Sequence, residues 1–317
     1  MYQEFMGSNP QMFTLSTPFT NEAGVAYDEL RVAYHHYGTL SPQRDNVIWV
    51  CHALTANSDC ADWWKDSVVQ GGLLDPQRYY IVCANKLGSC YGSSSGDFTM
   101  RDNIRAFSAL ADYLGVGQIQ MLIGGSTGGA QAMEWGIMEP ERIERIALLA
   151  TLPKMTSWVV ASSETQRMAI ESAADKAQGV ATARAISMLL YRNETTYNMT
   201  QTPTSVGSYQ RYQGLKLSKR FDYRSYLSML YTLDTHDVGR DRGGVDQALS
   251  VITARTVVIA INSDILFPAK DVHEMARAIK NSSYHIIQSD YGHDGFLIEM
   301  PQIRAILQPV IDDILKR

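Results

Sequence analysis

A short apolar strand that breaks at a serine between glycines constrains this chain more than any other feature. Residues 121–135 read MLIGGSTGGAQAMEW, so strand-forming residues lead into Ser126 and a helical pattern follows it. Gly124, Ser126 and Gly128 form the pattern G-x-S-x-G, whose small residues let the strand and the helix pass closely. The sequence therefore predicts a sharp turn that presents Ser126 at a helix start, where free N–H groups favour developing negative charge.

Two phosphate-binding loops also place glycines between a strand and a helix, and single residues argue against both. A dinucleotide-binding fingerprint, G-x-G-x-x-G, requires glycine at the position of Ser126. A P-loop requires Lys followed by Ser or Thr after its last glycine, whereas Ala130 and Gln131 follow Gly129. At this point the alternative to a nucleophilic serine is an incidental glycine-rich turn, because short motifs recur by chance.

Short runs rich in Ile and Val alternate with helical patterns along much of the chain. Such runs are typical of strands buried on both faces of a parallel sheet. The alternation predicts an α/β fold, with a mostly parallel sheet flanked by helices. The predicted principal strands are 46–51, 79–84, 119–123, 146–150, 256–261 and 284–288. The predicted helices outside the insertion described next are 101–114, 129–138, 272–279 and 303–315.

Residues 153–250 interrupt this alternation. They lack the strand pattern and are rich in Ala, Met, Tyr and Ser, so we expect a helical lid inserted into a core of residues 1–152 and 251–317. A helical insertion at the carboxyl edge of a sheet covers the loops that carry chemistry and excludes water from them. Residues 13–37 alternate polar and apolar side chains, which predicts antiparallel strands at the edge of the sheet.

Composition excludes several classes of function. A net charge of −5 and the absence of Lys and Arg clusters argue against nucleic-acid binding. The first ten residues have no basic and apolar signal pattern, and no apolar run approaches membrane-spanning length, so we expect a cytoplasmic protein without a membrane partner. The four cysteines form no C-x-x-C pair and are expected to be reduced. A Cys51–His52 dyad is disfavoured because adjacent strand residues point to opposite faces.

A serine nucleophile needs a base and a carboxylate that orients the base, and both follow in the chain. Asp264 follows the predicted strand 256–261, and His293 follows 284–288. The order Ser126, Asp264, His293 is that of the catalytic triad in α/β-hydrolases. Each residue lies just beyond a predicted strand, where the loops of an open parallel sheet converge. We therefore predict that these three side chains meet.

The tetrahedral intermediate of such a site needs two backbone N–H donors for its oxyanion. Thr127, the residue after the nucleophile, is expected to supply one. The other is expected from the loop after strand 46–51, with Leu54 as the best candidate, so that His52 has a structural role. No metal is expected, because the histidines at 35, 36 and 236 lack a metal-binding spacing such as H-E-x-x-H.

Seven segments spread over nearly the whole chain resemble the homoserine O-acetyltransferase family. They are 51–55 (CHALT), 87–92 (LGSCYG), 124–129 (GGSTGG), 208–214 (SYQRYQG), 225–230 (SYLSML), 233–239 (LDTHDVG) and 291–294 (YGHD). The resemblance implies the α/β-hydrolase fold with a helical lid, a homodimer formed through that lid, and no permanently bound cofactor. It also implies transfer of an acetyl group from acetyl-CoA as cosubstrate to the side-chain hydroxyl of L-homoserine, in methionine biosynthesis.

The resemblance also implies roles for individual residues. Ser126 is the acylated nucleophile of a ping-pong reaction, His293 its base and Asp264 the residue that orients the base. Arg192 and Asp294 match the family's substrate-binding arginine and aspartate. A guanidinium suits the α-carboxylate of an amino acid, and a carboxylate suits its α-ammonium.

Other activities stay open on the sequence alone. Water as acceptor gives a serine esterase, other substrates give an O-succinyltransferase or a serine acyltransferase, and loss of turnover gives a ligand-binding protein. Thr127 and Ala56 depart from the family's usual methionine and glycine, next to the expected oxyanion hole. These departures bear on the acyl donor and the acceptor more than on the triad.

Overall fold

The computed structural model describes residues 9–64 and 66–316, and an eight-stranded sheet forms its framework. The strands are β1 (Gln11–Leu15), β2 (Phe19–Thr20), β3 (Ala26–Tyr27), β4 (Leu30–Tyr37), β5 (Val47–Cys51), β6 (Tyr80–Ala84), β7 (Met121–Gly125), β8 (Arg145–Leu149), β9 (Arg255–Ile261) and β10 (Ser282–Ile287). The helices are α1 (Cys60–Trp63), α2 (Met100–Tyr113), α3 (Thr127–Met138), α4 (Ser157–Ser172), α5 (Lys176–Tyr191), α6 (Glu194–Thr200), α7 (Val206–Ser218), α8 (Tyr223–Asp234), α9 (Val245–Leu249), α10 (Ala269–Ala278), α11 (Gly295–Ile298) and α12 (Met300–Asp312). None of these helices is both long and apolar enough to cross a membrane.

The sheet has the order β1-β4-β6-β5-β7-β8-β9-β10 and is mostly parallel. The strands from β6 to β10 in this order pair in parallel, while β4 pairs antiparallel with both β1 and β6 at one edge. The predicted α/β class is therefore confirmed. The strand before Ser126 ends two residues later than predicted, because Gly124 and Gly125 still pair with Leu148 and Leu149 of β8.

Helices cover both faces of this sheet, and alternate side chains of strands β5 to β9 enter two separate cores. In β5, Trp49 packs on one face with its ring 4.9 Å from that of Trp135, while Ile48 and Val50 face the other core. The second core is completed by Ile303 and other apolar residues of α12. Burial on both faces explains why the central strands read as continuous apolar runs.

The chain changes direction across the sheet at β5, because β6 lies on one side of it and β7 on the other. In open α/β sheets, the crevice beyond the carboxyl ends of the strands at such a switch point is the usual ligand site. Here the loops that meet at this point begin with His52, after β5, and with Ser126, after β7. The topology therefore brings the expected nucleophile and the expected oxyanion loop together.

The segment between β8 and β9 contains helices α4 to α9 and lies over the carboxyl edge of the sheet. Two side chains tie it to core loops: Thr232 Oγ1 donates to the carbonyl of Phe98 at 2.6 Å, and Asn193 Nδ2 donates to that of Ser263 at 3.1 Å. Asp222 caps α8 by accepting from two backbone N–H groups of its first turn. These contacts position the helical segment above the loops that follow the strands.

Candidate active site

Ser126 occupies a strained turn between β7 and α3. Its backbone has φ 57° and ψ −127°, a conformation that costs a residue with a side chain of order 1–3 kcal/mol. Two hydrogen bonds hold the turn: Ser126 N–H donates to the carbonyl of Leu149 at 2.9 Å, and Ala130 N–H donates to the Ser126 carbonyl at 3.1 Å. Strain of this kind at a serine indicates a function for that residue.

Two of the motif's glycines are required by close backbone contacts. A Cβ atom added at Gly124 would lie 2.3 Å from the carbonyl of Gly128, so the start of α3 could not cross the strand. A Cβ at Gly128 would lie 2.0 Å from the carbonyl oxygen of Cys51, at the end of β5. Because backbone atoms cannot move aside as a flexible side chain can, both positions need glycine. The turn that carries Ser126 therefore packs directly against the end of β5 and the loop that follows it.

Asp264 and His293 form a hydrogen-bonded pair on the loops after β9 and β10. Asp264 Oδ2 lies 2.7 Å from His293 Nδ1, and its Oδ1 accepts the N–H groups of Leu266 and Phe267 at 2.8 and 3.0 Å. Because a carboxylate accepts hydrogen bonds, the ring proton is assigned to Nδ1 and the lone pair to Nε2. His293 Nε2 has no hydrogen-bond partner in the part of the chain that the structure describes. The nitrogen that a general base needs is therefore available.

Ser126 and His293 line the same cavity, which has a volume of about 330 Å³. Both residues are nearly buried, with 7% and 2% of their surface exposed. The imidazole is held by aromatic neighbours, since the rings of Phe267 and Phe296 lie 5.1 and 5.4 Å from it. Ser126 and His293 thus come from different loops to one cavity, and Asp264 is joined to it by its hydrogen bond to His293. A serine, a base and an orienting carboxylate in this arrangement suit acyl transfer.

Leu54 and Thr127 lie beside Ser126, as the sequence predicts for the oxyanion donors. All three line a narrow extension of the site, and Leu54 also lines the main cavity. Thr127 is the first residue of α3, and the first N–H groups of a helix have no acceptor within it. Leu54 follows His52, which is fully buried and whose Nε2 accepts the N–H of Lys86 at 3.0 Å. His52 therefore occupies a structural position.

Arg192 and Asp294 are paired with each other. Arg192 Nε donates to Asp294 Oδ2 at 3.1 Å, and about a fifth of each side chain is exposed. Asp294 follows His293 directly and lines the cavity, while Arg192, at the end of α5, reaches the site through this ion pair. The structure thus adds a contact that the sequence does not predict. The pair presents one positive and one negative charge beside the base.

Three basic residues of the cavity wall were not predicted from the sequence. They are Arg184, Lys216 and Arg220, all from the helical segment above the sheet. The sequence does contain one indication of the position of Arg184. It lies seven residues before Tyr191 in one helix, and helical residues at that spacing lie on the same face. The Arg184 guanidinium indeed lies 5.1 Å from the centre of the Tyr191 ring, which also lines the cavity. Arg220 closes the wall by donating to the carbonyl of Thr55 at 2.8 Å.

The chain is similar to known proteins over nearly its full length. A family model described as alpha/beta hydrolase fold matches residues 46–299. The chain is 38% identical to a homoserine O-acetyltransferase from Cyclobacterium marinum, over 94% of each protein. It superposes on homoserine O-acetyltransferase from Staphylococcus aureus with a TM-score of 0.86, at 30% identity over 97% of this chain and 96% of that one. An acetylester hydrolase from Corynebacterium glutamicum superposes with a TM-score of 0.88 at 20% identity, over 96% of each chain, a likeness that concerns the fold alone.

Proposed function

The chain belongs to the homoserine O-acetyltransferase family of α/β-hydrolase fold enzymes, and on this premise we propose that it moves an acetyl group from acetyl-CoA to the side-chain hydroxyl of L-homoserine. The observation that carries the proposal is the Arg192–Asp294 ion pair beside His293. An esterase that uses water has no need of two opposite charges next to its base. An amino-acid acceptor carries an α-carboxylate and an α-ammonium, which match these two charges.

The first half of the proposed reaction acylates Ser126. His293 Nε2 takes the proton of the Ser126 hydroxyl, and Oγ bonds to the thioester carbon of acetyl-CoA. The N–H groups of Leu54 and Thr127 donate to the oxygen that becomes negative. When the tetrahedral intermediate collapses, the carbon–sulfur bond breaks and Nε2 returns the proton to the sulfur of the leaving coenzyme A.

The second half transfers the acetyl group to the acceptor. The L-homoserine hydroxyl gives its proton to His293 Nε2 and attacks the acetyl carbon. As the bond between that carbon and Ser126 Oγ breaks, Nε2 returns the proton to Oγ, which restores the enzyme. In this proposal Arg192 binds the α-carboxylate and Asp294 the α-ammonium. The bound substrate would then add its two charges to the Arg192–Asp294 ion pair. Holding the hydroxyl in place raises its effective concentration, so transfer to L-homoserine is faster than hydrolysis of the acetyl-enzyme by water.

The basic cavity wall supports a phosphorylated acyl donor. Coenzyme A carries several negative charges on its phosphates at neutral pH. Arg184, Lys216 and Arg220 give the wall three positive charges, which exceed the two negative charges of Asp62 and Asp294, and Lys216 is exposed at its outer side. Such a wall attracts an anionic donor toward Ser126 before any specific contact forms. A neutral ester would gain nothing from these charges, so they favour acetyl-CoA over a simple ester as donor.

Thiol release tests the proposed substrates directly. We expect purified protein to release coenzyme A from acetyl-CoA at a rate that depends on L-homoserine, with O-acetylhomoserine identified by mass. Succinyl-CoA and L-serine, run in parallel, test the other substrates left open by the sequence. Thiol release at the same rate without an amino acid would make water the acceptor and the chain a hydrolase. If no combination of these acyl-CoA donors and amino-acid acceptors leads to thiol release, the proposed acyl transfer is contradicted.

The substitution Arg192→Gln is expected to raise the KM for L-homoserine by about 30- to 100-fold, which corresponds to loss of about 2 to 3 kcal/mol from a charge-assisted contact. Release of p-nitrophenol from p-nitrophenyl acetate should change little, because that ester has no carboxylate to bind. Arg78→Gln is a matched control, since Arg78 pairs with Asp312 at 2.9 Å on the exposed surface. An unchanged KM for L-homoserine in Arg192→Gln would remove Arg192 from the acceptor site.

A further inference from the structure

Lys86 is a buried cation directly behind the expected oxyanion loop. It follows β6, and only 1% of its surface is exposed. Within the residues that the structure describes, no carboxylate forms a salt bridge with its ammonium group. A lysine buried without a carboxylate partner is rare and lowers stability, because the desolvation cost of the charge is not offset by an ion pair. Its position therefore calls for a functional explanation.

The ammonium group of Lys86 contacts the loop that carries Leu54. Lys86 Nζ donates to the carbonyl of His52 and lies 3.4 Å from the carbonyl of Ala53. The backbone N–H of Lys86 donates to His52 Nε2 at 3.0 Å, so the ring proton of His52 is on Nδ1. That Nδ1 donates to the Ala53 carbonyl at 2.8 Å. Lys86 and His52 thus converge on the same carbonyl group.

The Ala53 carbonyl belongs to the same peptide unit as the Leu54 N–H. The described part of the chain contains no cis peptide bond, and in a planar trans peptide the C=O and N–H bonds point in opposite directions. Donors that hold the Ala53 carbonyl therefore aim the Leu54 N–H away from Lys86. Leu54 lines the cavity together with Ser126, which is the side on which the oxyanion forms. Polarisation of the carbonyl also strengthens the N–H as a donor.

We propose that Lys86 is a positioning residue for the oxyanion hole: through the Ala53 carbonyl and through His52 it orients the Leu54 N–H, and its charge stabilises the tetrahedral anion formed on Ser126. This inference rests on the acyl-serine chemistry of the proposed function. It is independent of the identity of the acyl donor and of the acceptor.

The surroundings of Lys86 make its charge sensitive to pH. Burial lowers the pKa of Lys86 from its ordinary value of 10.5 to about 7. The titratable groups that face it from β5 and β6 and from the loop after β5 are Cys51, Cys83 and His52. Burial raises the pKa of Cys51 to about 12 and that of Cys83 well above its usual range, so both thiols are neutral. Burial lowers the pKa of His52, which is neutral as well.

Two consequences follow from this titration. Below about pH 7 the ammonium is charged, and as the pH rises through this value Lys86 loses the charge that supports the anion, so the acylation rate should fall. Between about pH 7 and 10.5 the folded protein has released a proton that the unfolded chain still holds. The free energy of unfolding contributed by Lys86 therefore rises with pH across that window. Activity and stability are expected to move in opposite directions.

The substitution Lys86→Met tests the proposal, because Met keeps much of the shape of Lys and removes the charge. We expect the rate of acylation by p-nitrophenyl acetate and the affinity for an alkylboronic acid, which forms a tetrahedral anion on serine, to fall together by about 10- to 100-fold. The urea midpoint should stay the same or rise, and the fall of the acylation rate above about pH 7 should disappear. The KM for L-homoserine should stay within about twofold.

Cys83→Ala is the matched control, since it removes a buried side chain beside Lys86 without changing any charge. It should lower the urea midpoint and leave the acylation rate unchanged. Unchanged acylation and boronate affinity in Lys86→Met would overturn the proposal. Wild-type protein that reacts with the ester but does not transfer from acetyl-CoA to L-homoserine contradicts the proposed function instead, and the ester comparison still decides the role of Lys86.

Discussion

Ser126→Ala is expected to lower acetyl transfer at least about 10⁴-fold. The variant lacks the oxygen that would carry the acetyl group, while the cavity and the Arg192–Asp294 ion pair stay in place. Binding of L-homoserine, followed by calorimetry, should therefore remain measurable. Coenzyme A release under single-turnover conditions gives the loss of acylation separately from later steps.

Ser67→Ala is a suitable control for this experiment. Ser67 is a fully buried serine whose hydroxyl donates to Met300 Sδ at 3.0 Å, and it does not line the cavity of Ser126. Transfer by Ser67→Ala should match that of the wild type, although the protein is expected to be less stable. Unchanged transfer in Ser126→Ala would exclude a covalent mechanism on this serine and would leave the strained turn without a catalytic explanation.

Asp264→Asn is expected to lower kcat by about 10³- to 10⁴-fold with little change in the fold. The Asn Oδ1 can still accept the N–H groups of Leu266 and Phe267, so the loop should keep its conformation. An amide NH₂ facing His293 favours the tautomer with the proton on Nε2, which then cannot take a proton from Ser126. The measurement is kcat for acetyl transfer, with unfolding followed by circular dichroism.

Asp290→Asn provides the comparison for Asp264→Asn. Asp290 is an exposed carboxylate three residues before His293 and should be replaceable without loss of kcat. A drop in kcat of less than about tenfold in Asp264→Asn would show that the imidazole does not depend on this carboxylate, and the triad as described here would be wrong.

Much of this architecture was predictable because its signals are local. Strands β5 to β9 are buried on both faces and therefore appear as short apolar runs. The predicted ends of the principal strands differ from the observed ones by no more than two residues. The strained turn at Ser126 needs glycine at Gly124 and Gly128 for steric reasons alone. The ends of parallel strands meet at one edge, which places Asp264 and His293 together without knowledge of side-chain packing.

The contacts that give the site its electrostatic character were not predictable in this way. Arg192 and Asp294 are 102 residues apart, and nothing in the sequence shows that they pair. Lys86 follows an apolar strand and would be expected at the surface, because lysine is almost never fully buried. Its burial results from the packing of the loops after β5 and β6, which is a tertiary property. The helical spacing of Arg184 and Tyr191 indicates a shared face, but the cavity beside them depends on how the helical segment between β8 and β9 packs on the core.

Rapid-quench mass spectrometry of the peptide that contains Ser126 can detect the acetyl-enzyme that a ping-pong acetyl transfer requires. This mechanism predicts that acetyl-CoA alone places an acetyl group on Ser126, and that added L-homoserine removes it while O-acetylhomoserine forms. No acetyl group on Ser126, or an acetyl-Ser126 that decays equally fast with and without L-homoserine, would contradict it.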